Sequence, residues 1–276
     1  MKASSNGFSV LMSVYINDNC EYLFEALRSI YHVQTLKPSE IVIVADGELT
    51  YEQKKVIADF ANSLPEGLLS FIQLKKNNGL AVALNEGLKV CRYELVARMD
   101  ADDISLPTRF ELQVSFMEKN IEIDVCGTYI YEVNSKDGNF LSIRKVPLNH
   151  AEIINFAKKR SPISHPSVMY RRSRVLAVDG YPIFRKSQDF ALWSRMLVNG
   201  NQFANLSDVL LKMRTGEELY DRRGFDYFKF EYQVLNFQRK IGFIGDFEFL
   251  KNIMLRAVFR MMPNGLKKIA YSFLRR

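Results

Sequence analysis

Three carboxylates lie within four positions of the sequence, in the segment YELVARMDADDISLP. Asp100, Asp102 and Asp103 directly follow apolar residues that are typical of a buried strand. Carboxylates this close raise one another's pKa and destabilise the fold unless a positive charge lies between them. The pattern therefore indicates either a bound cation or a solvated loop.

A bound cation would be of the hard, divalent kind that prefers oxygen ligands, as Mg²⁺ and Mn²⁺ do. Such a cation keeps coordination positions for a substrate diphosphate and stabilises the charge that develops on a departing phosphate. Arg98, two residues before the cluster, either reinforces this site or is an exposed cation on a strand.

Two other sites with closely spaced aspartates do not fit this segment. A calcium-binding EF-hand loop beginning at Asp100 would need glycine where Ser105 stands, and Pro107 would interrupt it. A phosphatase of the haloacid dehalogenase type carries its Asp-x-Asp after the first strand of the domain, whereas Asp100 follows the fourth predicted strand. An acidic turn in solvent stays open as the alternative.

The elements before this cluster alternate between strand and helix. Strands are predicted at 8–14, 40–46, 69–74 and 94–100, and helices at 21–33, from 50 to about 63, and at 77–90. Thr50 and Gln53 form a capping box, and Asn78 is the expected cap of the third helix. This alternation is typical of a parallel sheet with helices on both faces, which binds ligands beyond the carboxyl ends of its strands. Asp46 and Asp100 should therefore lie on the same rim.

The second half of the chain follows a mixed pattern. We expect helices at 108–120, 149–160, 172–178 and 189–200, a hairpin of 125–133 with 140–146, a short strand at 166–170 and a closing hairpin within 203–214. These elements add antiparallel structure to the parallel half. The sequence therefore predicts an α/β fold whose core ends near Arg214, with a helical appendage after it.

The composition is that of an ordinary folded protein, with 47% hydrophobic and 25% charged residues. The three cysteines have no paired spacing, which argues against a disulfide framework or a structural zinc site and favours a reducing, cytoplasmic compartment. We expect no signal peptide and no transmembrane helix, because no apolar run approaches the about 20 residues that span a bilayer.

The net charge of +7 belongs entirely to residues 251–276, which contain seven basic residues and no acidic one. Residues 1–250 are balanced, which argues against nucleic acid as a partner. The basic tail mixes cations with apolar residues in two segments that Pro263 and Gly265 separate. Two short amphipathic helices of this kind indicate association with a membrane surface, and a helical cap on the core is the alternative.

Six segments within residues 8–214 carry a family resemblance. They are, in order, FSVLMSVYI, PSEIVIVADGEL, KNNGLAVALNEGL, ARMDADDISLPTRFELQV, HPSVMYRRS and QDFALWSRML. Their order resembles that of the family-2 glycosyltransferases with the GT-A fold, and more narrowly the bacterial enzymes that build O-antigen, capsule or exopolysaccharide. The resemblance implies a catalytic domain over 1–214, with a nucleotide-sugar half at about 8–105 and an acceptor half at about 106–214. A helical, basic region over 215–276 would follow.

The resemblance assigns the donor nucleotide to three segments of the first half. The strand end at 14–15 would line the base pocket, Asp46 would hydrogen-bond the base, commonly uracil, and 77–80 would contact base and ribose. The residues implied to bind the nucleotide sugar are Val14, Tyr15, Asp46, Asn77, Asn78, Gly79, Arg98 and Asp100.

The resemblance also implies the metal ligands and the base. Asp100 would face ribose and metal, and Asp102 would bind Mn²⁺ or Mg²⁺ directly. His165 is a further candidate metal ligand, with a structural role as the alternative. Asp189 matches the catalytic base of inverting members, which removes the proton from the acceptor hydroxyl. A helix start would keep Asp189 ionised, and a plain N-cap is the alternative.

Gln188 and Trp193 are the candidate acceptor contacts. Gln188 stands where the family usually has Glu, and Trp193 either stacks on an acceptor sugar or belongs to the core. Two further departures are Ala45, where many relatives have a second Asp, and Ser13, which replaces a frequent proline.

The expected function is inverting, metal-dependent transfer of a hexose from a UDP-sugar to an undecaprenyl-diphosphate-linked glycan. The protein would act at the inner face of the cytoplasmic membrane, held there by its basic tail. One alternative is a sugar nucleotidyltransferase, although MSVYINDN lacks the glycine-rich loop such an enzyme would need. Another is a non-catalytic protein that binds nucleotide or glycan in an assembly complex.

Overall fold

The computed structural model describes residues 7–215 and 225–261. The strands are β1 Phe8–Val14, β2 Glu40–Ala45, β3 Leu69–Gln73, β4 Leu95–Asp100, β5 Ile104–Ser105, β6 Ile123–Asn134, β7 Phe140–Arg144, β8 Met169–Arg171 and β9 Gln202–Thr215. The α-helices are α1 Cys20–Tyr31, α2 Tyr51–Asn62, α3 Leu80–Val90, α4 Arg109–Lys119, α5 His150–Ala157, α6 Arg172–Leu176, α7 Gln188–Val198, α8 Phe225–Lys240 and α9 Asp246–Met261. Within these two ranges, every helix is too short or too polar to cross a membrane.

A single mixed sheet runs through the molecule in the order β3-β2-β1-β4-β8-β6-β9-β5, with β7 beside β6. Strands β1 to β4 are parallel, as predicted. Val14 pairs with Ala45 on one side of β1, and Ser13 pairs with Asp100 on the other. Asp46 and Asp100 therefore lie at the same edge of the sheet, which confirms the predicted rim.

Alternating residues of β1 build a separate core on each face of the sheet. Val10 and Met12 pack with Leu27 of α1 on one face, whereas Leu11 packs with Leu84 of α3 on the other. All six residues of β2 are buried, as expected for a parallel strand that helices cover on both sides. The helices on both faces are thus confirmed.

The second half departs from the prediction at two strands. The closing hairpin predicted within 203–214 is wrong, because β9 is one strand of 14 residues that runs parallel to β6. Ser207 and Asp208 resemble a turn in the sequence, but they are exposed and bulge out of the β6–β9 register. The strand predicted at 166–170 begins as a 3₁₀ turn, His165–Ser167, and continues as β8.

Two helices follow the sheet at the carboxyl-terminal end of the described chain. Val234 of α8 packs on Phe190 of α7, and Arg256 and Arg260 of α9 form ion pairs with Glu231 of α8. The basic helix expected from residue 251 begins five residues earlier, at Asp246. The second predicted tail helix, within 263–276, lies outside the described residues.

Candidate active site

Asp100, Asp102 and Asp103 come together where β4 ends. Carboxylate oxygens of the three residues lie within 4.8 Å of one another. Asp102 is exposed and Asp100 is half-buried, whereas Asp103 is only 1% exposed. The group does not include His165, so the sequence-predicted ligands come together except for that histidine.

Arg98 places a buried guanidinium next to this carboxylate cluster. Its side chain is 1% exposed, and its two terminal nitrogens each donate to one oxygen of Asp100. Burial alone would lower the pKa of Arg98, but the Asp100 carboxylate more than offsets this, so the pKa is raised and the group stays charged. The alternative of an exposed cation on a strand is therefore wrong.

A second fully buried arginine, Arg109, lies behind Arg98. Its Nη2 donates to the carbonyl of Arg98 at 2.7 Å, and its Nε donates to Gln113 at 3.0 Å. Burial, and then the charge of Arg98, lower the pKa of Arg109 to about 9. In the sequence, Arg109 stands at the start of a predicted helix, and nothing local indicates that its side chain turns towards β4.

Asp102, Asp103 and Asp18 have raised pKa values because burial and the charges of neighbouring carboxylates both disfavour their ionised forms. Although Asp102 has exposed surface, the surrounding protein partly desolvates its carboxylate, and this desolvation, followed by the charge of Asp100, raises its pKa to about 6. Asp18, in the β1–α1 loop, lies near enough for the charges of this group to act on it, which its local sequence does not indicate. Burial raises its pKa to about 7, and the charges of Asp102 and Asp100 add to the shift. A bound cation would relieve this repulsion.

Asp103 connects the acidic loop to the end of β9. Its Oδ1 accepts the backbone N–H of Arg214 at 2.9 Å, and the Arg214 guanidinium donates to the carbonyl of Asp102 at 2.6 Å. The other oxygen of Asp103 is buried and has no hydrogen-bond partner among the described residues. An unpaired, buried carboxylate oxygen beside two further carboxylates fits the ligand preference of a hard divalent cation.

Asp46 anchors the loop that precedes α3. Its two oxygens accept the backbone N–H groups of Asn78 and Gly79, each at 2.8 Å. The prediction that Asn78 caps α3 is wrong, because Gly79 stands at the cap position with a positive φ of 93° and no side-chain cap. Gly47 allows the close approach, since a Cβ there would lie 2.8 Å from the nitrogen of Asn77. The contact of Asp46 with a base stays a prediction.

Gln53 fixes the loop between β1 and α1. Its Nε2 donates to three carbonyls of residues 15–18, while its Oε1 completes the predicted capping box with Thr50 at 3.0 Å. The side chain of Val14 is fully buried in the core, so only its backbone could border a base, and the predicted contact of the strand end at 14–15 with a base stays a prediction. Tyr15 is 39% exposed and stays available at the rim.

Asp189 lies in the first turn of α7 as its second residue. The N-cap is Ser187, in the left-handed region at φ 59°, so the N-cap alternative for Asp189 is wrong. Burial raises the pKa of Asp189 and outweighs the N–H of Phe190 and the charge of Arg98, which both lower it. The helix start favours the ionised form as expected, but burial has the larger effect. A raised pKa suits a general base near neutral pH.

Trp193 is a core residue, and the alternative that it stacks on an acceptor sugar is wrong. Its side chain is fully buried, with the ring centroids of Tyr181 and His165 at 6.4 Å and 6.1 Å. His165 Nε2 lies 3.0 Å from the hydroxyl of Tyr181, and burial lowers the pKa of His165 well below its usual value. The contacts of His165 are those of a structural residue. Gln188 is 7% exposed, just before Asp189.

The family model of glycosyl transferase family 2 matches residues 9–178. The amylovoran biosynthesis glycosyltransferase AmsE of Erwinia amylovora is 38% identical, over 96% of this chain and 97% of its own. The Escherichia coli UDP-Gal:alpha-D-GlcNAc-diphosphoundecaprenol beta-1,3-galactosyltransferase is 36% identical, over 96% of this chain and 94% of its own. The chain belongs to glycosyl transferase family 2 and is a glycosyltransferase.

Solved structures share the fold, which is α/β and GT-A-like. S. aureus TarS 1-349 in complex with UDP superposes with a TM-score of 0.64 at 24% identity, over 87% of this chain and 66% of that one. Against the longer TarS crystal structure, this chain spans 39% of the length. Mannosyltransferase PcManGT from Pyrobaculum calidifontis, in complex with GDP-Man and Mn²⁺, superposes with a TM-score of 0.62 at 16% identity. The match covers 94% of this chain and 71% of that one. At these identities the likeness shows the fold alone.

Replacing Arg98 by Met should destabilise the protein strongly, because Asp100 and Asp103 would lose the buried positive charge beside them. We expect a loss of about 3–5 kcal/mol in the free energy of unfolding, measured with denaturant at neutral pH. The double variant Arg98→Met/Asp100→Asn should recover part of this loss, because the unpaired carboxylate is removed.

The matched control is Lys54→Met, which breaks the exposed ion pair with Glu48 and should change stability by less than about 1 kcal/mol. The free energies of unfolding lost in Arg98→Met alone and in Asp100→Asn alone should not add up to the loss in the double variant. A strictly additive result would contradict the coupling between these two residues.

Proposed function

We propose that this enzyme is an inverting, metal-dependent glycosyltransferase that moves a hexose from UDP to a sugar on a lipid-diphosphate acceptor. The main observation is the proximity of two features. A carboxylate cluster that fits a cation lies at the end of β4, and Asp189 is close enough for the charges of Arg98 and Asp100 to act on its pKa. A transferase of this class needs both a site for the leaving diphosphate and a base.

The donor nucleotide would lie across the carboxyl ends of β1, β2 and β4. Three fixed loops border this position, namely residues 15–18, 77–79 and 100–103. Because their backbones are already hydrogen-bonded to Gln53, Asp46 and Arg214, little ordering would be needed when the nucleotide binds. Two comparisons support UDP as the nucleotide. The name of the E. coli relative includes UDP-Gal, and TarS has been solved in complex with UDP.

Asp100, Asp102 and Asp103 would hold the divalent cation, Mn²⁺ or Mg²⁺. The bound cation supplies positive charge to the diphosphate as it leaves. Arg98 holds Asp100 in place through two hydrogen bonds, and Arg214 holds the backbone of 102–103. The presence of Mn²⁺ in the PcManGT complex supports the metal on the level of the shared fold.

Asp189 would act as the base. Its carboxylate removes the proton from the acceptor hydroxyl as the oxygen attacks the anomeric carbon from the side opposite the diphosphate. The bond between the anomeric carbon and the phosphate oxygen breaks, UDP leaves with the electron pair, and the configuration inverts. Burial raises the pKa of Asp189, which favours its taking the proton.

The acceptor class is supported by the relatives. The E. coli relative names alpha-D-GlcNAc-diphosphoundecaprenol as its acceptor, and this chain aligns with 94% of that enzyme. We therefore expect the acceptor sugar to be linked through a diphosphate to a long apolar lipid.

Replacing Asp189 by Asn should lower kcat by about 10²–10⁴-fold, because the amide cannot accept the proton of the acceptor hydroxyl. Transfer would be measured by mass spectrometry with UDP-Gal, UDP-Glc, their N-acetyl forms, and GDP- and dTDP-sugars. The acceptor would be a lipid-diphosphate-linked GlcNAc, with Mn²⁺ present or removed by EDTA. The wild type should use at least one UDP-hexose, and only with the metal.

The control variant Asp208→Asn changes an exposed carboxylate on the β9 bulge and should keep wild-type kcat. Binding of UDP to Asp189→Asn should match that of the wild type in a calorimetric titration. Full turnover by Asp189→Asn would refute the assignment of Asp189 as the base. A wild type that neither hydrolyses nor transfers any UDP-sugar would favour the non-catalytic alternative.

Attachment to a membrane surface is a second part of the proposal, supported by one face of α9. Five large apolar side chains on this helix are more than half exposed: Phe247, Leu250, Met254, Leu255 and Val258. Their spacing places them on one side, together with the exposed Lys251. An apolar stripe containing a cation, continued by a chain without acids to residue 276, fits an anionic lipid surface.

The triple variant Phe247→Ser/Leu250→Ser/Met254→Ser should lose binding to vesicles of phosphatidylglycerol and phosphatidylethanolamine in a flotation assay, because its apolar contact area is reduced. The wild type should float with these vesicles and less with purely zwitterionic ones. A control with exposed α2 positions changed, Tyr51→Ser/Lys55→Ser, should float as the wild type does. Equal flotation of the triple variant would refute this surface, whereas a wild-type dimer that does not float would assign it to self-association.

A further inference from the structure

A cavity of about 510 Å³ lies between α8 and the segment that leads into α7. Phe184 and Arg185 line it from that segment, and Phe230, Phe237 and Lys240 line it from α8. The cavity is separate from the carboxylate cluster, since none of the clustered aspartates lines it.

Two cations line this cavity, unlike the paired arginines of α8 and α9. Arg185 and Lys240 are exposed, and neither forms an ion pair or a side-chain hydrogen bond with any residue in 7–215 or 225–261. By contrast, Arg239 pairs with Asp246, and Arg256 and Arg260 pair with Glu231. Two unpaired cations at one cavity are suited to an anionic ligand, and especially to phosphate groups.

Aromatic side chains line the cavity together with these cations. The rings of Phe184 and Phe237 meet edge to face with centroids 5.5 Å apart, and both rings are half-buried. Phe230 lies two helical turns before Phe237 on the same side of α8. The cavity therefore combines positive charge with an apolar surface, which fits a ligand that carries phosphate beside an apolar chain.

Side chains that line the cavity pack next to the residue that follows the proposed base. Phe184 and Phe237 pack against Phe190, which directly follows Asp189. Arg185 precedes Asp189 by four residues in the chain. In an acceptor whose sugar is joined to a lipid by a diphosphate, one sugar ring separates the attacked hydroxyl from the phosphates. A sugar held at Asp189 with its diphosphate on the side of Arg185 would bring the phosphates to this cavity.

We propose that this cavity binds the diphosphate of the lipid-linked acceptor, with Arg185 and Lys240 on the phosphates and Phe184, Phe230 and Phe237 against the first carbons of the lipid. This assignment rests on the proposed function, because it takes a lipid-diphosphate sugar as the acceptor class. It adds the position of the diphosphate and the residues that select for it. The rest of the lipid would run along α8 and α9, where the exposed apolar stripe of α9 meets the membrane.

The test compares two synthetic acceptors with the same alkyl tail, an alkyl-diphosphate-GlcNAc and an alkyl GlcNAc glycoside without the diphosphate. In the wild type, kcat/KM should be higher for the diphosphate acceptor. Arg185→Ala and Lys240→Ala should each lower the ratio of the two kcat/KM values by about tenfold, since a charge-assisted contact is lost. Arg185→Lys and Lys240→Arg should restore most of the ratio.

Lys186→Ala is the matched control, because Lys186 is an exposed cation next to Arg185 and does not line the cavity; it should leave the ratio unchanged. An unchanged ratio in Arg185→Ala/Lys240→Ala would overturn the assignment. Weaker binding of UDP by this double variant, with unchanged acceptor binding, would assign the cations to the donor and overturn it as well.

Direct binding separates this inference from the proposed function. The affinity of each protein for alkyl-diphosphate-GlcNAc can be measured by calorimetry without any donor. If the wild type transfers no sugar, the proposed function fails, but a tenfold weaker binding by the double variant would still support the cavity. Equal affinities of wild type and double variant would refute the cavity whatever the outcome for transfer.

Discussion

The ion pair between Arg98 and Asp100 is the interaction on which the rest of the site depends. Four carboxylates, from Asp18 and residues 100–103, gather at the end of a strand that the core buries on both faces, where ionised groups are costly. Arg98 supplies positive charge from inside the fold, and Arg109 holds the carbonyl of Arg98 from behind. The protein thereby supplies part of the countercharge, and a cation with a diphosphate would supply the rest.

The loops around this charge are held by contacts between distant parts of the chain. Gln53 of α2 holds the loop after β1, Asp46 directly after β2 holds the loop before α3, and Asp103 binds the end of β9. Each anchor is buried and uses a side chain to satisfy backbone groups that would otherwise be exposed. The rim is therefore shaped before any ligand binds, as a site for precise transfer chemistry requires.

Local signals in the sequence are sufficient to predict the parallel half of the fold, because buried strands and a capping box can be recognised within a few residues. They are also sufficient for the rim, since Asp46 and Asp100 follow parallel strands. The failures have a common cause in long-range contacts. Ser207 and Asp208 resemble a turn in the sequence but bulge out of the β6–β9 register, and Asn78 resembles a helix cap, but its backbone N–H is held by the distant Asp46 and Gly79 takes the cap position. No local pattern could indicate that Arg109 would turn towards Arg98.

Binding of Mn²⁺ in the presence of UDP tests the central claim, that the carboxylates after β4 are half of a site which a cation and a diphosphate complete. Electron paramagnetic resonance can follow free Mn²⁺ as wild-type protein, Asp102→Asn and Asp208→Asn are titrated with UDP present or absent. We predict that UDP promotes binding of about one ion per chain, that Asp102→Asn weakens it by about tenfold or more, and that Asp208→Asn does not. Mn²⁺ binding that ignores UDP, or that Asp102→Asn leaves unchanged, would contradict the account.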